Sequence, residues 1–248
     1  MRFVTWNLDG LNDRNVDERT EAAVFTAILG ARLDQVHEGT KPTPPPDVIL
    51  FQEVVERTFH AHIDPHLTAG GYTVLPPEAP QRQTFEIVAF RKPFEVRSYD
   101  CVPLRDSAFG RQLHVADLIS STIDVRVLTA HCDSGTDARS IRIAQLRQIA
   151  DALNEAGCPG VFGGDVNLRK AEWLDVRGDL SMTDAWEALG EPPSTRVTWR
   201  RDTYKARFDR VFLSAGFVAR SMDPLGSDRL PVVDVPISDH IGLLVEAT

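Results

Sequence analysis

The sequence predicts a layered α/β domain in which two β-sheets lie face to face with helices outside. Apolar runs of strand length recur along the whole chain, and amphipathic segments at helical spacing lie between them. A length of 248 residues with 42% hydrophobic content supplies enough apolar mass for a full core. One domain spanning residues 1–248 is expected, because no internal repeat, low-complexity tract or linker interrupts the pattern.

Residues 2–6 read as a first strand ending in Asn7-Leu8-Asp9-Gly10. Asn15 stands where a helix N-cap is expected, with Glu18 at the capping-box position. Val24, Phe25, Ile28, Leu29, Leu33 and Val36 then give that helix an apolar face to about His37. The proline cluster at 41–46 is short enough for a loop. Residues 47–51 form a continuous apolar run of the buried-strand kind and end in Gln52-Glu53. A second helix covers 57–67, stopped by Gly70-Gly71. Residues 72–75, 85–90, 96–100, 113–119 and 125–130 are β-rich and separated by Pro, Gly, Asp and Ser, which predicts successive antiparallel strands. Ser134 or Thr136 is expected to open a helix with the stripe Ile143, Leu146, Ile149, Ala150 and Leu153, ended by Gly157 and Pro159. A core strand runs to Asp165, short helices fall near Trp173 and Trp186, and final strands cover 197–199, 208–213 and 241–246.

A balance of 27 basic against 36 acidic side chains, net −9, argues against a general nucleic-acid coat. It leaves room for an enzyme that touches a few phosphates through local arginines and a metal ion, with a shallow salt dependence. Cys101, Cys132 and Cys158 form neither a disulfide framework nor a zinc pattern, and Cys132 reads as a small packing residue. No signal-peptide pattern and no apolar run of membrane-spanning length is present, so a soluble, cytoplasmic setting without a membrane partner is expected.

The chemistry concentrates in Val161-Phe162-Gly163-Gly164-Asp165-Val166-Asn167-Leu168-Arg169. Two glycines would let the backbone turn sharply at a strand end. Residues two apart on an extended chain share a face, which would aim Asp165, Asn167 and Arg169 together. A carboxylate can hold or deprotonate water, a carboxamide can donate to a phosphoryl oxygen, and a guanidinium can fork onto phosphate. Taken alone, Gly-Asp-x-Asn is also ordinary turn chemistry. Polar residues recur after other apolar strands, however: Asn7, Glu53, His131, Asp209, Asp239 and His240. One cleft at the strand ends would collect them. His60 and His62 have metal-like spacing but sit on a surface-like helix and receive no role. Trp173, Trp186 and Trp199 read as core rather than as base-stacking platforms.

Thr5-Trp6-Asn7, Phe51-Gln52-Glu53, Gly164-Asp165-Val166-Asn167, Arg207-Phe208-Asp209 and Ser238-Asp239-His240 occur in an order that resembles the endonuclease/exonuclease/phosphatase superfamily. Longer stretches, including Leu128-Thr129-Ala130-His131-Cys132-Asp133-Ser134 and Asp184-Ala185-Trp186-Glu187, are similar to its tyrosyl-DNA phosphodiesterase branch, from residue 5 to residue 245. The resemblance implies a four-layer α/β sandwich and phosphoester hydrolysis dependent on Mg²⁺ or Mn²⁺. It implies that Glu53 holds the ion, aided by Asn7 and, through water, Asp239. Asp165 would activate the attacking water, and Asn167 would hold that water or the phosphoryl group. His240 would stabilise the transition state with its tautomer fixed by Asp209, while His131 and Arg169 would add donors to the phosphate. Ser134, Trp199 and Arg111 would contact substrate, and Arg111, Arg200, Arg201, Lys205 and Arg207 would form a local basic rim.

The implied partner is a DNA end, single-stranded or with an overhanging 5′ terminus, carrying a tyrosyl adduct and met by a monomer. The sequence departs from the pattern where Trp199 is followed by Arg200-Arg201-Asp202-Thr203, and no counterpart of the ubiquitin-binding extension of eukaryotic relatives is expected. Competing readings are an abasic-site endonuclease or exonuclease, a phosphatase of small molecules, lipids or inositol phosphates, and a non-enzymatic binding module.

Overall fold

The computed structural model describes residues 1–30, 44–226, 229–230 and 234–248. The chain begins with β1 (Arg2–Asn7), α1 (Val16–Leu29), β2 (Val48–Val54), α2 (Glu56–Thr58), a π-turn (Phe59–Ile63) and α3 (Asp64–Ala69). Then come β3 (Tyr72–Leu75), β4 (Phe85–Arg91), β5 (Glu95–Pro103), β6 (Gln112–Ile119), β7 (Val125–Ala130) and α4 (Arg139–Glu155). After β8 (Gly160–Asp165) follow α5 (Lys170–Val176), β9 (Thr183–Asp184), α6 (Ala185–Ala188), β10 (Trp199–Arg201), β11 (Tyr204–Ala206) and β12 (Asp209–Leu213). The last strands are β13 (Ala219–Leu225), β14 (Arg229–Leu230), β15 (Val235–Pro236) and β16 (Gly242–Ala247).

Two six-stranded sheets result, ordered β13-β16-β1-β2-β4-β3 and β5-β6-β7-β8-β12-β9. Each contains one parallel pair near its centre, β1 with β2 and β7 with β8. A parallel pair needs a crossover, which α1 supplies to the first and α4 to the second. It also brings two C-terminal strand ends to the same edge, so the residues after β1, β2, β7 and β8 are gathered at one end of the sandwich.

Side-chain alternation explains the layers. Phe3, Leu50 and Val88 of the first sheet meet Val127, Val161 and Val211 of the second in a central core. Their sequence neighbours Val4, Ile49 and Phe51 face outward against Val24, Ala27 and Leu67 of the helices. On the other side Leu128, Phe162 and Phe212 pack against Leu146, Ile149 and Trp173. The expected four-layer α/β sandwich is the fold observed.

Towards the site the intersheet contact turns polar. Gln52 Nε2 donates to Thr5 Oγ1 at 3.1 Å and to Thr129 Oγ1 at 2.9 Å, crossing from one sheet to the other in a fully buried position. Gly163 lets the sheets approach here, because a Cβ at this position would stand 2.9 Å from both Thr5 Cβ and Leu50 Cδ1. The glycine pair therefore lies inside β8 and serves close packing; it does not make the turn expected of it.

Other expectations change with the structure. The succession of antiparallel strands breaks between β4 and β5, which belong to different sheets. Asn15 has φ 52° and makes no side-chain cap, and α4 opens at Arg139 rather than at Ser134 or Thr136. Helix α1 ends at Leu29, with Gly30 at φ 58°; Leu33, Val36 and the start of the proline cluster lie outside the described residues. Strand β13, not anticipated, is an edge strand, where Pro224 is tolerated.

Candidate active site

Asp165, the last residue of β8, is the hub. Its Oδ2 accepts from Asn7 Nδ2 at 3.0 Å and stands 3.3 Å from His131 Nε2 and 3.6 Å from His240 Nε2, while Oδ1 accepts from the Asn167 backbone N–H at 2.9 Å. Strand register places it directly opposite Asp209 of β12, so two buried carboxylates lie side by side. His240 answers that charge: its Nδ1 is 2.8 Å from Asp209 Oδ2. Burial works against a charged His240, but Asp209 and then Asp165 outweigh it and push its pKa up to about 10. The ring is an imidazolium at neutral pH, and its Nε2 stands 3.6 Å from Asp165 Oδ2, beyond hydrogen-bond distance.

His131 is held in the opposite state. Burial, and next the Arg111 guanidinium, pull its pKa well below the ordinary value. Arg111 Nη1 lies 2.6 Å from His131 Nδ1, and arginine can only donate, so Nδ1 accepts and the proton sits on Nε2. That N–H stands beside Asp165, with Nε2 3.3 Å from Oδ2. The two histidines divide the labour: one is a buried cation, the other a neutral orienting group.

Glu53 closes β2 in a left-handed conformation, φ 54°, at a bulge in its pairing with β4. Its carbonyl lies against Gly10, where a Cβ would come within 2.1 Å of the oxygen. Burial, and next the Asp165 carboxylate, push the Glu53 carboxyl up to about 7. Asp9 is raised too, by burial and then by Asp239. Asp239 Oδ2 is held by Trp199 Nε1 at 2.9 Å. Asp165 and Asp9 raise Glu53, and Asp239 raises Asp9, so carboxylate charge is crowded on this side of the site. The hard oxygens of Glu53, Asp9, Asp239 and the Asn7 amide are of the type that suits Mg²⁺ or Mn²⁺ rather than a thiophilic metal. The Asp165–Asp209–His240 cluster is also close-packed, but its imidazolium already neutralises it.

The substrate-binding candidates do not converge. Arg111 and Ser134 join Glu53 in a cleft of about 510 Å³, whereas Arg169 and Trp199 line a second cavity of about 910 Å³ with Trp173, Trp186 and Tyr204. Asn167 has φ 50°, so the chain is not extended and Asp165, Asn167 and Arg169 do not share a face. Arg169 Nη1 turns to the Gly135 carbonyl at 3.3 Å and to Glu172 Oε1 at 3.4 Å. The Asn167 amide donates to the Cys132 carbonyl at 3.2 Å. The basic rim is likewise discontinuous. Arg207 is bound to Asp184 Oδ2 at 2.6 Å with its guanidinium 4.2 Å over Trp186, and Arg111 belongs to the other cleft. Arg200, Arg201 and Lys205 remain exposed on the β10–β11 hairpin. Trp199 is half-buried, and the anticipated core positions hold for Trp173 and Trp186.

Supporting residues emerge that the sequence did not single out. Buried Arg19 donates to Asp9 Oδ2 at 3.1 Å. Thr198 Oγ1 accepts from the backbone N–H groups of both Phe208 and Asp209 at 3.0 Å, which sets the start of β12. Ser238 Oγ donates to the Asn7 carbonyl at 2.7 Å and accepts from the His240 N–H at 3.0 Å, stitching the two motifs together.

A two-sheet sandwich carrying this site at its strand ends defines the class: the chain belongs to the Endonuclease/Exonuclease/phosphatase family, which matches residues 4–240. Within the family it is similar to tyrosyl-DNA phosphodiesterase 2. The Gallus gallus protein is 29% identical over 98% of this chain and 65% of its own length, and the Homo sapiens protein 27% identical over 98% and 66%. The chain thus spans just under two thirds of the length of these relatives. Among solved structures, truncated Caenorhabditis elegans TDP2 superposes with a TM-score of 0.81 at 25% identity, covering 98% of this chain and 95% of that one. D. rerio TDP2 complexed with single-strand DNA product gives 0.83 at 24% identity, covering 100% and 98%.

Proposed function

We propose that this chain is a Mg²⁺- or Mn²⁺-dependent phosphodiesterase that acts as a monomer on 5′-tyrosyl–DNA linkages and leaves a 5′-phosphate. The observation that carries this is the pairing of a buried acid, Asp165, with a histidine held charged at neutral pH, His240, beside the Glu53 carboxylate. Similarity to several tyrosyl-DNA phosphodiesterase 2 proteins supports the substrate class, and the D. rerio complex supports a single-stranded DNA end.

Glu53, with Asn7, Asp9 and Asp239 about it, would hold a divalent ion, and such an ion would supply charge neutralisation for the phosphoester. Asp165 takes or orients the proton of the attacking water, while Asn7 and His131 hold its carboxylate in place. His240 offers its Nε2–H to the developing negative charge, and Asp209 keeps that ring charged and oriented. Arg111, at the edge of the Glu53 cleft, both holds His131 in one tautomer and lines the path of the phosphate. A tyrosyl leaving group, with a pKa of about 10, departs without a strong general acid, and none is needed from this chain.

The test is a side-by-side assay of 5′-phosphotyrosyl oligonucleotides, an abasic-site duplex and inositol phosphates at equal enzyme and Mg²⁺. Release of tyrosine from single-stranded or overhanging ends is expected to be much the fastest. Faster abasic incision would assign a nuclease, and faster phosphate release from the small molecules a phosphatase.

Glu53→Ala is expected to weaken Mg²⁺ binding, with activity partly restored at high Mg²⁺. Because the Glu53 carboxyl is pushed up to about 7, it is neutral below that pH and must lose its proton to bind the ion. Mg²⁺ affinity should therefore rise from pH 6 to pH 8 in the wild type, and calorimetry in buffers of different ionisation enthalpy should register proton release. A pH-independent affinity would remove Glu53 from the ion.

A further inference from the structure

We propose that His62 and His66, with Glu21 and Asp17 across from them, form a second metal site, one that takes Zn²⁺ and none of whose residues belongs to the cleft. His62 lies in the π-turn and His66 in α3, while Asp17 and Glu21 lie on α1. Residues four apart on a helix share a face, so a pair of imidazoles here confronts a pair of carboxylates. His62 Nε2 is 3.4 Å from Asp17 Oδ1, and His66 Nε2 is 3.4 Å from Glu21 Oε1. One ligand atom from each of Glu21, His62 and His66 lies within 4.8 Å of the others. Tetrahedral Zn²⁺ with ligands at about 2.0–2.1 Å requires ligand–ligand edges of about 3.4 Å. Two edges of that tetrahedron are already present, and the other separations among Glu21, His62 and His66 lie within 4.8 Å.

Three further observations favour a cation over plain ion pairs. Asp17 Oδ1 is buried and makes no hydrogen bond, although it faces the His62 ring. The two imidazoles stack with centroids 6.2 Å apart and planes 26° apart, an arrangement that charged rings would resist and metal-bound neutral rings accept. His66 is also packed on Phe25 at 4.8 Å, which restricts its rotamers before any ion arrives. The competing partner is Arg57, which pairs with Asp17 but is exposed and free to swing away. His60, two residues before His62, is exposed against the edge of Phe59 and stands apart.

The donor set identifies the ion class. Two imidazole nitrogens with carboxylate oxygens suit Zn²⁺, and after it Ni²⁺ or Cu²⁺, whereas the all-oxygen set around Glu53 suits Mg²⁺. The π-turn widens the helix where His62 emerges, and such insertions recur at functional sites. Bound Zn²⁺ would clamp α1 to the helical segment after β2, on the outer face of the first sheet, and raise thermal stability by mass action.

The test is Zn²⁺ titration of the full chain by calorimetry in excess Mg²⁺, with Co²⁺ absorption as a second readout. One Zn²⁺ per chain, a higher Tm and a tetrahedral Co²⁺ spectrum are expected. The double variant His62→Ala/His66→Ala should lose all three while keeping its circular dichroism and its Mg²⁺ binding. Its loss of affinity should exceed the ~10–100-fold that follows removal of an outer-shell partner. Glu21→Gln, a milder change, should weaken Zn²⁺ without altering the fold. Absence of Zn²⁺ binding by the wild type would overturn the proposal. So would Zn²⁺ binding that survives the double variant and disappears in Glu53→Ala.

Discussion

Asp165→Asn and His240→Ala are each expected to lower turnover of a 5′-phosphotyrosyl oligonucleotide by about two to four orders of magnitude, the range for loss of a general base or of a charged donor to the transition state. Asparagine at position 165 preserves volume and its one carbonyl oxygen can keep one of the two acceptor contacts, from the Asn7 amide or from the Asn167 N–H, so the fold should be retained. What it loses is the negative charge and the ability to take a proton. His240→Ala removes the cation between two buried carboxylates and leaves Asp209 uncompensated, so a stability cost accompanies the catalytic one. His240→Gln keeps a donor without the charge and should fall in kcat more than in KM. The pH profile separates the effects. The folded His240 pKa lies near 10 against an ordinary 6.5, so its contribution to stability is full below about 6.5 and is lost as pH rises through about 10. The wild type should lose that increment on the alkaline side, and His240→Ala should show none of it. Turnover near wild type in a folded Asp165→Asn or His240→Ala protein would reject these roles.

Arg142→Met is expected to destabilise the chain by about 3–5 kcal/mol, the cost of stranding one partner of a buried ion pair. The Arg142 side chain is fully buried. It reaches Glu172 with Nη2 at 2.6 Å and Nε at 3.1 Å, and Nη1 donates to the Gly135 carbonyl at 2.7 Å. This one guanidinium ties α4 to α5 and to the loop that follows His131. Removing it leaves a carboxylate out of water with only Arg169 nearby. Arg142→Met/Glu172→Met should recover most of the loss, since a buried pair exchanged for apolar side chains is often neutral. Burial alone would raise the Glu172 pKa, but Arg142 holds it below its ordinary 4.5. That contribution is present above 4.5 and lost as pH falls through the lowered value, so the wild type should lose stability in acid that Arg142→Met never had. Urea unfolding midpoints at pH 7 and pH 3 measure both effects. A cost below about 1 kcal/mol would place the pair among the weak surface bridges.

Strands were legible where β-rich runs were bounded by turn residues, as at β2, β4 and β7. Their assignment to sheets was not, because pairing is a long-range choice. Only Lys92, Pro93 and Phe94 separate β4 from β5, yet the two strands lie in opposite layers. Strand β13 escaped notice because Pro224 and alternating charge are acceptable at an edge. Asn15 followed by Glu18 carries the pattern of a capping box, but a left-handed φ of 52° at Asn15 accompanies a bare cap. At the site, polar residues following apolar strands marked Asn7, Glu53, His131 and Asp165 correctly as neighbours. Their protonation was beyond reach, since His131 is set neutral by burial and then Arg111, and His240 is held charged by Asp209 against its burial, contacts that bring distant parts of the chain together. The alternation linking Asp165 to Arg169 failed at a single residue, Asn167, whose backbone leaves the extended region.

Strand β1 sits between β2 and β16, with Thr5 paired to Leu243. A ribosome delivers these partners in sequence, so for most of synthesis β1 has a neighbour on one flank only, and the loop that must close to complete it is nearly the whole chain. Such closure is slow. His240 lies just ahead of β16 and is fixed by the same event, through Ser238 on the Asn7 carbonyl. A polypeptide without strand β16 docked therefore holds its carboxylates but lacks the His240 counter-charge on which the proposed hydrolysis would depend.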